Sequence, residues 1–282
     1  MTLVTTAGLI AEAHAGQRGI GAFNVLHLET AEGLAAGAEA AGRPLILQIS
    51  ENCVGFHGSL RPIAAAVLAV ADASAARLSL HLDHAESEEL VREAIDLGFS
   101  SVMFDASKLD YAENLARTAA MAELAHANGV FIEAELGEVG GKDGVHAPGA
   151  RTDPDQARAF VAATGVDALA VAVGSSHAMT TRDAALDFDL LARLRAALGL
   201  PLVLHGSSGV ADPALQRAIA AGITKVNVST HLNLSFTAGV RDYLDAHPTT
   251  VDSRRYLGAG RSSLAEETAR LLTVLSTTEV PR

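Results

Sequence analysis

Eight short apolar runs follow one another along the chain, separated by stretches of helical period, and this alternation restricts the fold more than any single motif. The runs are GAFNV at 21–25, PLILQIS at 44–50, LSLHLDH at 78–84, SVMFDAS at 101–107, VFIEAELG at 130–137, ALAVAVGSSH at 168–177, PLVLHGSS at 201–208 and KVNVST at 225–230. Intervening stretches such as SEELVREAIDLG and DPDQARAFVAATG open at Ser or Asp and close at Gly, as helix capping requires. The runs are continuous rather than alternating, which suits parallel strands covered on both faces. Eight β/α units predict an α/β fold, a (β/α)8 TIM barrel. A doubly wound sheet would need a reversal of strand order that sequence cannot display. SSLAEETARLLTVL at 262–275 predicts an extra C-terminal helix.

The 282 residues can bury one large core, and no Pro/Gly/Ser-rich linker or charge run divides them, so a single domain over 1–282 is expected. The net charge of −12 excludes electrostatic capture of nucleic acid, which needs a basic face. Cys53 is the only cysteine. No intrachain disulfide can form, and the thiol reads as a packing residue in a reducing compartment. The N-terminal segment lacks the charged and apolar regions of a secretion signal, and no apolar run reaches the ~20 residues of a membrane span. A cytoplasmic protein without membrane attachment is expected.

In a barrel, residues at strand C-termini face the active-site rim. Sorted by that rule, Asn24, Ser50, Asp83, His84, Asp105, Glu133, Glu135, Ser176, His177, His205, Ser208, Asn227, Ser229 and Thr230 gather at one end. Three of them, His84, His177 and His205, come from separate runs. Three neutral imidazoles on one rim are what an open catalytic zinc site needs. His81, three residues before His84, is expected on the opposite pleat face, deeper and hydrogen-bonded.

A carbanion beside a carbonyl is stabilised either by a Schiff-base lysine or by a Lewis-acid metal. Only Lys108, Lys142 and Lys225 exist. Lys225 begins its run and so belongs to the stability end, Lys142 lies in a glycine-rich loop, and Lys108 reads as the exposed start of a loop. The metal route is therefore expected. After runs seven and eight, Gly206-Ser207-Ser208-Gly209 and Asn227-Val228-Ser229-Thr230 offer backbone N–H groups, hydroxyls and a helix start near His231. Such a pair of connections can hold a phosphate.

Taken together, GAFNV, HLDH, SVMFDAS, EAELG with its Gly-Gly loop, TGVDALAVAVGSSH, PLVLHGSSG and KVNVST resemble the class II zinc-dependent ketose-bisphosphate aldolases, nearest the tagatose- and fructose-bisphosphate branch. The resemblance covers about residues 5–260. It implies that His84, His177 and His205 bind catalytic Zn2+ and that Asp83 is the catalytic aspartate. Asp105 and Glu135 match positions that hold a second or displaced zinc ion in some relatives, and a monovalent cation is also implied. Gly206, Ser208, Asn227 and Thr230 match phosphate-binding positions, and Asn24, Ser50, Ala178, Ser207, Val228 and Ser229 complete the expected substrate-binding set. The implied partners are a phosphorylated ketose, dihydroxyacetone phosphate and an aldehyde, in a homodimer or homotetramer.

The chain departs from that pattern in three places. The loop Gly140-Gly141-Lys142-Asp143-Gly144 lacks the glutamate that moves a proton in relatives, leaving Asp143 or Glu138 for the task. Ala178 stands where relatives have glycine, and alanine does not freely adopt positive φ. Ser229-Thr230-His231 replaces the usual strand-eight ending, so the far end of the substrate can differ, with Arg182 and Arg254 as candidates for an anionic end. Four readings follow. They are aldol cleavage of a fructose- or tagatose-bisphosphate-like ketose, the same chemistry on an acid-ended or deoxy ketose phosphate, a non-catalytic sugar-phosphate binder, and an isomerase working through an enediolate.

Overall fold

The computed structural model describes residues 3–137 and 151–276. The first half runs α1 (Thr6–Ala15), β1 (Ile20–Asn24), α2 (Leu28–Ala41), β2 (Leu45–Ser50), α3 (Glu51–His57), α4 (Leu60–Ala73), β3 (Leu78–Ala85), α5 (Glu88–Asp96) and β4 (Ser101–Phe104). The second runs α6 (Tyr111–Ala127), β5 (Phe131–Glu135), α7 (Pro154–Thr164), β6 (Ala168–Ala170), α8 (Phe188–Leu198), β7 (Leu202–Leu204), α9 (Asp212–Ala221), β8 (Ile223–Val228), α10 (Thr230–Ala246) and α11 (Ser253–Ser276).

The eight strands pair in sequence order, all parallel, and β8 returns to β1 through Ile20↔Lys225 and Ala22↔Asn227. This is the expected (β/α)8 TIM barrel. Parallel strands enclosed by helices bury both faces, so nearly every strand residue is buried, as in LILQIS and ITKVNV, and the polar ones among them, such as Gln48, Lys225 and Asn227, need partners inside the barrel. The helices start where side-chain oxygens can take the first backbone N–H groups: Ser50, Ser59, Ser87, Asp110, Asp153 and Asp187 each accept such a bond. Gly165 and Gly199 end α7 and α8 at φ 70° and 65°, where a Cβ would be strained.

Two boundaries differ from expectation. The apolar run at 168–177 is strand only through Ala170, because the chain turns at Gly174 (φ 117°), and His177 therefore sits on a loop beyond β6. The C-terminal helix starts at Ser253 instead of 262. Gly260 lies inside it because a Cβ there would come within 3.0 Å of Val240 and Phe236 on α10, so close helix packing outweighs glycine's poor propensity.

No single helix among the described residues is long and apolar enough to cross a membrane.

Candidate active site

Asp83 and His84 are neighbours on β3, and alternation along a strand would send them to opposite faces. They reach the same cavity because His84 adopts φ 50°, a left-handed turn at the register shift between Leu82 and Ala85. Such a bulge re-aims one side chain at the cost of strain. The expectation that His81 and His84 face apart is corrected by the same turn. His81 lies in the barrel interior, fully buried, with Nδ1 2.8 Å from Ser101 Oγ and Nε2 4.0 Å from Glu133. Its depth and hydrogen bonding are as expected.

The three histidines converge. His84 Nε2 lies 2.8 Å from His205 Nδ1, and the His84–His177 and His177–His205 ring centroids are 5.0 and 5.6 Å apart. One ring nitrogen from each lies within 4.8 Å of the others. His205 leaves β7 at its C-terminal end, with its carbonyl accepting from Ser175 Oγ at 2.6 Å. Burial, then the neighbouring His84, hold the His205 imidazole well below the ordinary histidine range, so it is a neutral donor. His84 behaves oppositely. Burial pushes it down, but Asp83, a 2.7 Å bond to Asp105 and Glu135 together raise it to about 9. Three imidazoles on one point fit a borderline cation, zinc above the harder ions that prefer all-oxygen sites. Asp105 and Glu135 form a second close group with His84. Asp105 is committed locally, because its other oxygen accepts from the Ser107 hydroxyl at 2.6 Å.

Asp83 is 3% exposed and receives amide donors on both oxygens. Asn24 Nδ2 and Gln48 Nε2 donate to Oδ2 at 3.2 and 3.3 Å, and Asn227 Nδ2 donates to Oδ1 at 3.2 Å. Gln48 also donates to Asn24 Oδ1 at 2.8 Å. Gln48 was not among the expected site residues. Its signal was a lone amide inside the apolar run PLILQIS, and a buried polar side chain is the informative kind.

Directly after His205, Gly206 turns at φ 65°, and a Cβ there would come within 2.6 Å of the Ser176 backbone. A short 3-10 turn, Ser207–Gly209, follows. Ser207 Oγ donates to the Asn227 carbonyl, and Ser208 Oγ accepts the His231 N–H at 3.1 Å, which ties the turn to the first residues of α10. Ala178 sits beside them at φ 58°, adopting the conformation alanine disfavours. A cavity of about 180 Å³ is lined by Asn24, Gln48, Ser50, Asn52, Asp83, His84, His177, Ala178, Gly206, Ser208, Asn227, Ser229 and Thr230. Asn52 was also missed, since it belongs to the first turn of a helix rather than to a strand end.

Three expectations change. Lys225 does not stay at the stability end: its side chain is fully buried and its Nζ reaches Glu133 and Asn227, each at 2.8 Å, because a four-carbon stem climbs inside the barrel. Arg182 donates to the Val210 carbonyl and, at 2.6 Å, to Asp212, and Arg254 pairs with Asp252 at 2.9 Å, so neither lines the cavity. Asp143 and Glu138 lie outside the described residues. Cys53 is buried, and burial raises its thiol to about 11, in keeping with a packing role.

The family model described as fructose-bisphosphate aldolase class-II matches residues 4–279. A fructose-bisphosphate aldolase of Geobacillus stearothermophilus is 38% identical over 268 residues, 94% of this chain and 93% of its own. Among solved structures, the YdjI aldolase of Escherichia coli K12 matches with a TM-score of 0.86 and 30% identity, covering 97% of both chains. The fructose-bisphosphate aldolase of Campylobacter jejuni matches with a TM-score of 0.82 over 97% of this chain and 95% of its own. At 21% identity that likeness is one of fold alone.

Proposed function

The chain belongs to the class-II fructose-bisphosphate aldolase family, a family of aldolase lyases that is generally metal-dependent, and from this premise we propose reversible cleavage of a ketose 1-phosphate or 1,6-bisphosphate to dihydroxyacetone phosphate and an aldehyde. The observation that carries the reading is the placing of the Asp83 carboxylate beside the three-histidine cluster and across one cavity from the Gly206–Ser208 turn.

His84, His177 and His205 would hold zinc, which when bound supplies Lewis-acid polarisation of the ketose carbonyl and neutralises the charge that develops as the C3–C4 bond breaks. Asp83 takes the proton of the C4 hydroxyl as general base in cleavage and returns it in condensation. Asn24, Gln48 and Asn227 aim their amide hydrogens at the Asp83 oxygens, which fixes the orientation of the carboxylate. Backbone N–H groups around Gly206, Ser207 and Ser208, with Val228, Ser229 and Thr230 at the start of α10, bind the phosphate; a 17-residue helix brings its positive end there. Asn24 and Ser50 face the carbon chain of the ketose, and Ala178 offers its N–H to the phosphate. Asp143 moves the second proton, at the carbon that loses the aldehyde. Asp105 favours orienting His84 over binding a second ion, because both of its oxygens already accept hydrogen bonds. The whole chain acts as one catalytic unit in a homo-oligomer.

A panel of ketose 1-phosphates and 1,6-bisphosphates, including acid-ended and deoxy members, tests this by release of dihydroxyacetone phosphate. Metal-loaded protein should cleave at least one, and chelated protein none. Binding of the phosphates without turnover by any would replace the aldolase reading with that of a sugar-phosphate binder.

A further inference from the structure

A chain of short contacts lies below the histidines. His205 Nε2 is 2.8 Å from Glu133 Oε1, Glu133 Oε2 is 2.8 Å from Lys225 Nζ, and all three side chains are 0% exposed. Ion pairs so deeply buried are weak contributors to stability, since desolvation offsets most of the Coulomb attraction and a well-packed apolar pair serves as well. The other barrel-interior positions nearby, such as Ala168, Ala170 and Val203, show that this chain fills its interior with apolar side chains where it can. The pair at 133 and 225 therefore calls for a reason outside folding.

Geometry supplies one. A neutral imidazole has one N–H and one lone pair, and the partner of one nitrogen decides the role of the other. Glu133 is an acceptor, so at 2.8 Å it calls for the proton of His205 on Nε2. The lone pair is then left on Nδ1, the nitrogen that faces His84 Nε2 at 2.8 Å and shares the cluster with His177. Asn227 Nδ2 also approaches His205 Nε2, at 3.2 Å, but an amide N–H cannot accept, and the shorter contact to Glu133 sets the tautomer. Lys225 acts twice. Its ammonium neutralises Glu133, and it donates to Asn227 Oδ1 at 2.8 Å, which turns the Asn227 amide hydrogens toward Asp83.

We propose that Glu133 and Lys225 are positioning residues for the metal site, the pair locking His205 with its proton on Nε2 and its lone pair on Nδ1 so that Nδ1 is the ligand atom. The proposal rests on the reading of His84, His177 and His205 as metal ligands. Outer partners of this kind typically change metal affinity 10–100-fold when removed.

The first test needs no variant. In metal-free, histidine-15N-labelled full-length protein, with the His205 resonance assigned against His205→Gln, the ring should carry its proton on Nε2. A proton on Nδ1 overturns the proposal. The second uses zinc affinity by chelator competition and the visible spectrum of the cobalt-substituted protein. Glu133→Gln should weaken zinc binding by about 10–100-fold and shift the cobalt bands. The double variant Glu133→Gln, Lys225→Met leaves no unpaired buried charge, so it separates folding from positioning. It should retain the melting temperature of the wild type to within a few degrees while zinc binding stays weakened and the cobalt bands stay shifted. Wild-type zinc affinity and an unaltered cobalt spectrum in the double variant mean that the pair is structural only. If the wild-type protein itself binds neither zinc nor cobalt, it is the metal reading of the three histidines that falls, a result distinct from either.

Discussion

His84 Nε2 and His205 Nδ1 face each other at 2.8 Å, yet the two rings sit on opposite sides of neutrality. Burial and its neighbour hold His205 well below the usual range, whereas Asp83, Asp105 and Glu135 override burial and hold His84 at about 9. A metal ion must displace the His84 proton to bind there. Loading at pH 7 should therefore release about one proton per ion from this side chain, and apparent affinity should rise roughly tenfold per pH unit between 7 and 9. Calorimetric titration of the chelated protein in buffers of different ionisation enthalpy measures the proton count, and a count of zero contradicts the assignment.

The same asymmetry sets the stability of the metal-free protein. The folded value of His84 lies above its unfolded value near 6.5, so its contribution is fully present below that pH and is lost as pH rises toward about 9. His81 and His205 are lowered, so theirs is present above about 6.5 and is lost as pH falls below it. Urea midpoints of chelated protein should peak near pH 6.5 and decline on both sides. A midpoint that climbs steadily from pH 6.5 to 9 is the opposite result.

Asp83 is held by amides on both oxygens, while the imidazoles converge independently of it. Asp83→Asn should therefore keep zinc affinity near that of the wild type and lower kcat by roughly 10²–10⁴-fold, the usual contribution of a positioned general base. Zinc titration and steady-state kinetics on one preparation separate the two effects. Loss of metal together with activity would assign Asp83 to the metal site instead.

Ala178 and Gly206 are both left-handed and line the same cavity, but only the glycine suits that backbone. Alanine in that region costs about 1–2 kcal/mol, partly offset in a glycine variant by greater unfolded-chain entropy. Ala178→Gly should therefore stabilise the protein by about 0.5–1 kcal/mol, a rise of roughly 1–3 °C in Tm. Gly206→Ala should do the reverse by about 2 kcal/mol or more, because strain adds to a 2.6 Å clash with the Ser176 backbone. Thermal melts of the two variants check both signs.

Strand order and the rim were legible because they depend on periodicity and on residue type. Eight apolar runs gave eight paired strands, and His84, His177 and His205 meet although they lie far apart in sequence. What escaped depended on reach and backbone conformation. Lys225 enters low on β8, and only the length of its side chain brings it to Glu133. The left-handed turn at His84 reverses the side that strand parity assigns, and no glycine announces it. Arg182 looked available for an anionic ligand until the fold placed Asp212 beside it. Gln48 could be seen only as an odd letter in an apolar run, since its partners Asn24 and Asp83 come from the two neighbouring strands, β1 and β3, and meet it only once the barrel closes.

The C-terminal helix offers a last test, remote from the chemistry. A Cβ on Gly37 of α2 would lie 2.5 Å from Thr268 Cβ and 2.6 Å from the Ala265 carbonyl oxygen of α11, and Gly33, one turn earlier, meets the same helix. Helix propensity alone favours alanine over glycine by up to about 1 kcal/mol. The carbonyl cannot retreat unless α11 moves, and overpacking of this kind costs about 1–3 kcal/mol. Gly37→Ala should thus destabilise by about 1–2 kcal/mol, leaving KM unchanged in the molecules that remain folded. Gly55 in α3 is the matched control, with nothing within 4 Å of its added Cβ, and Gly55→Ala should stabilise by a few tenths to about 1 kcal/mol. Urea denaturation of the pair measures the difference, and equal shifts would mean that α2 and α11 are not in close contact at Gly37.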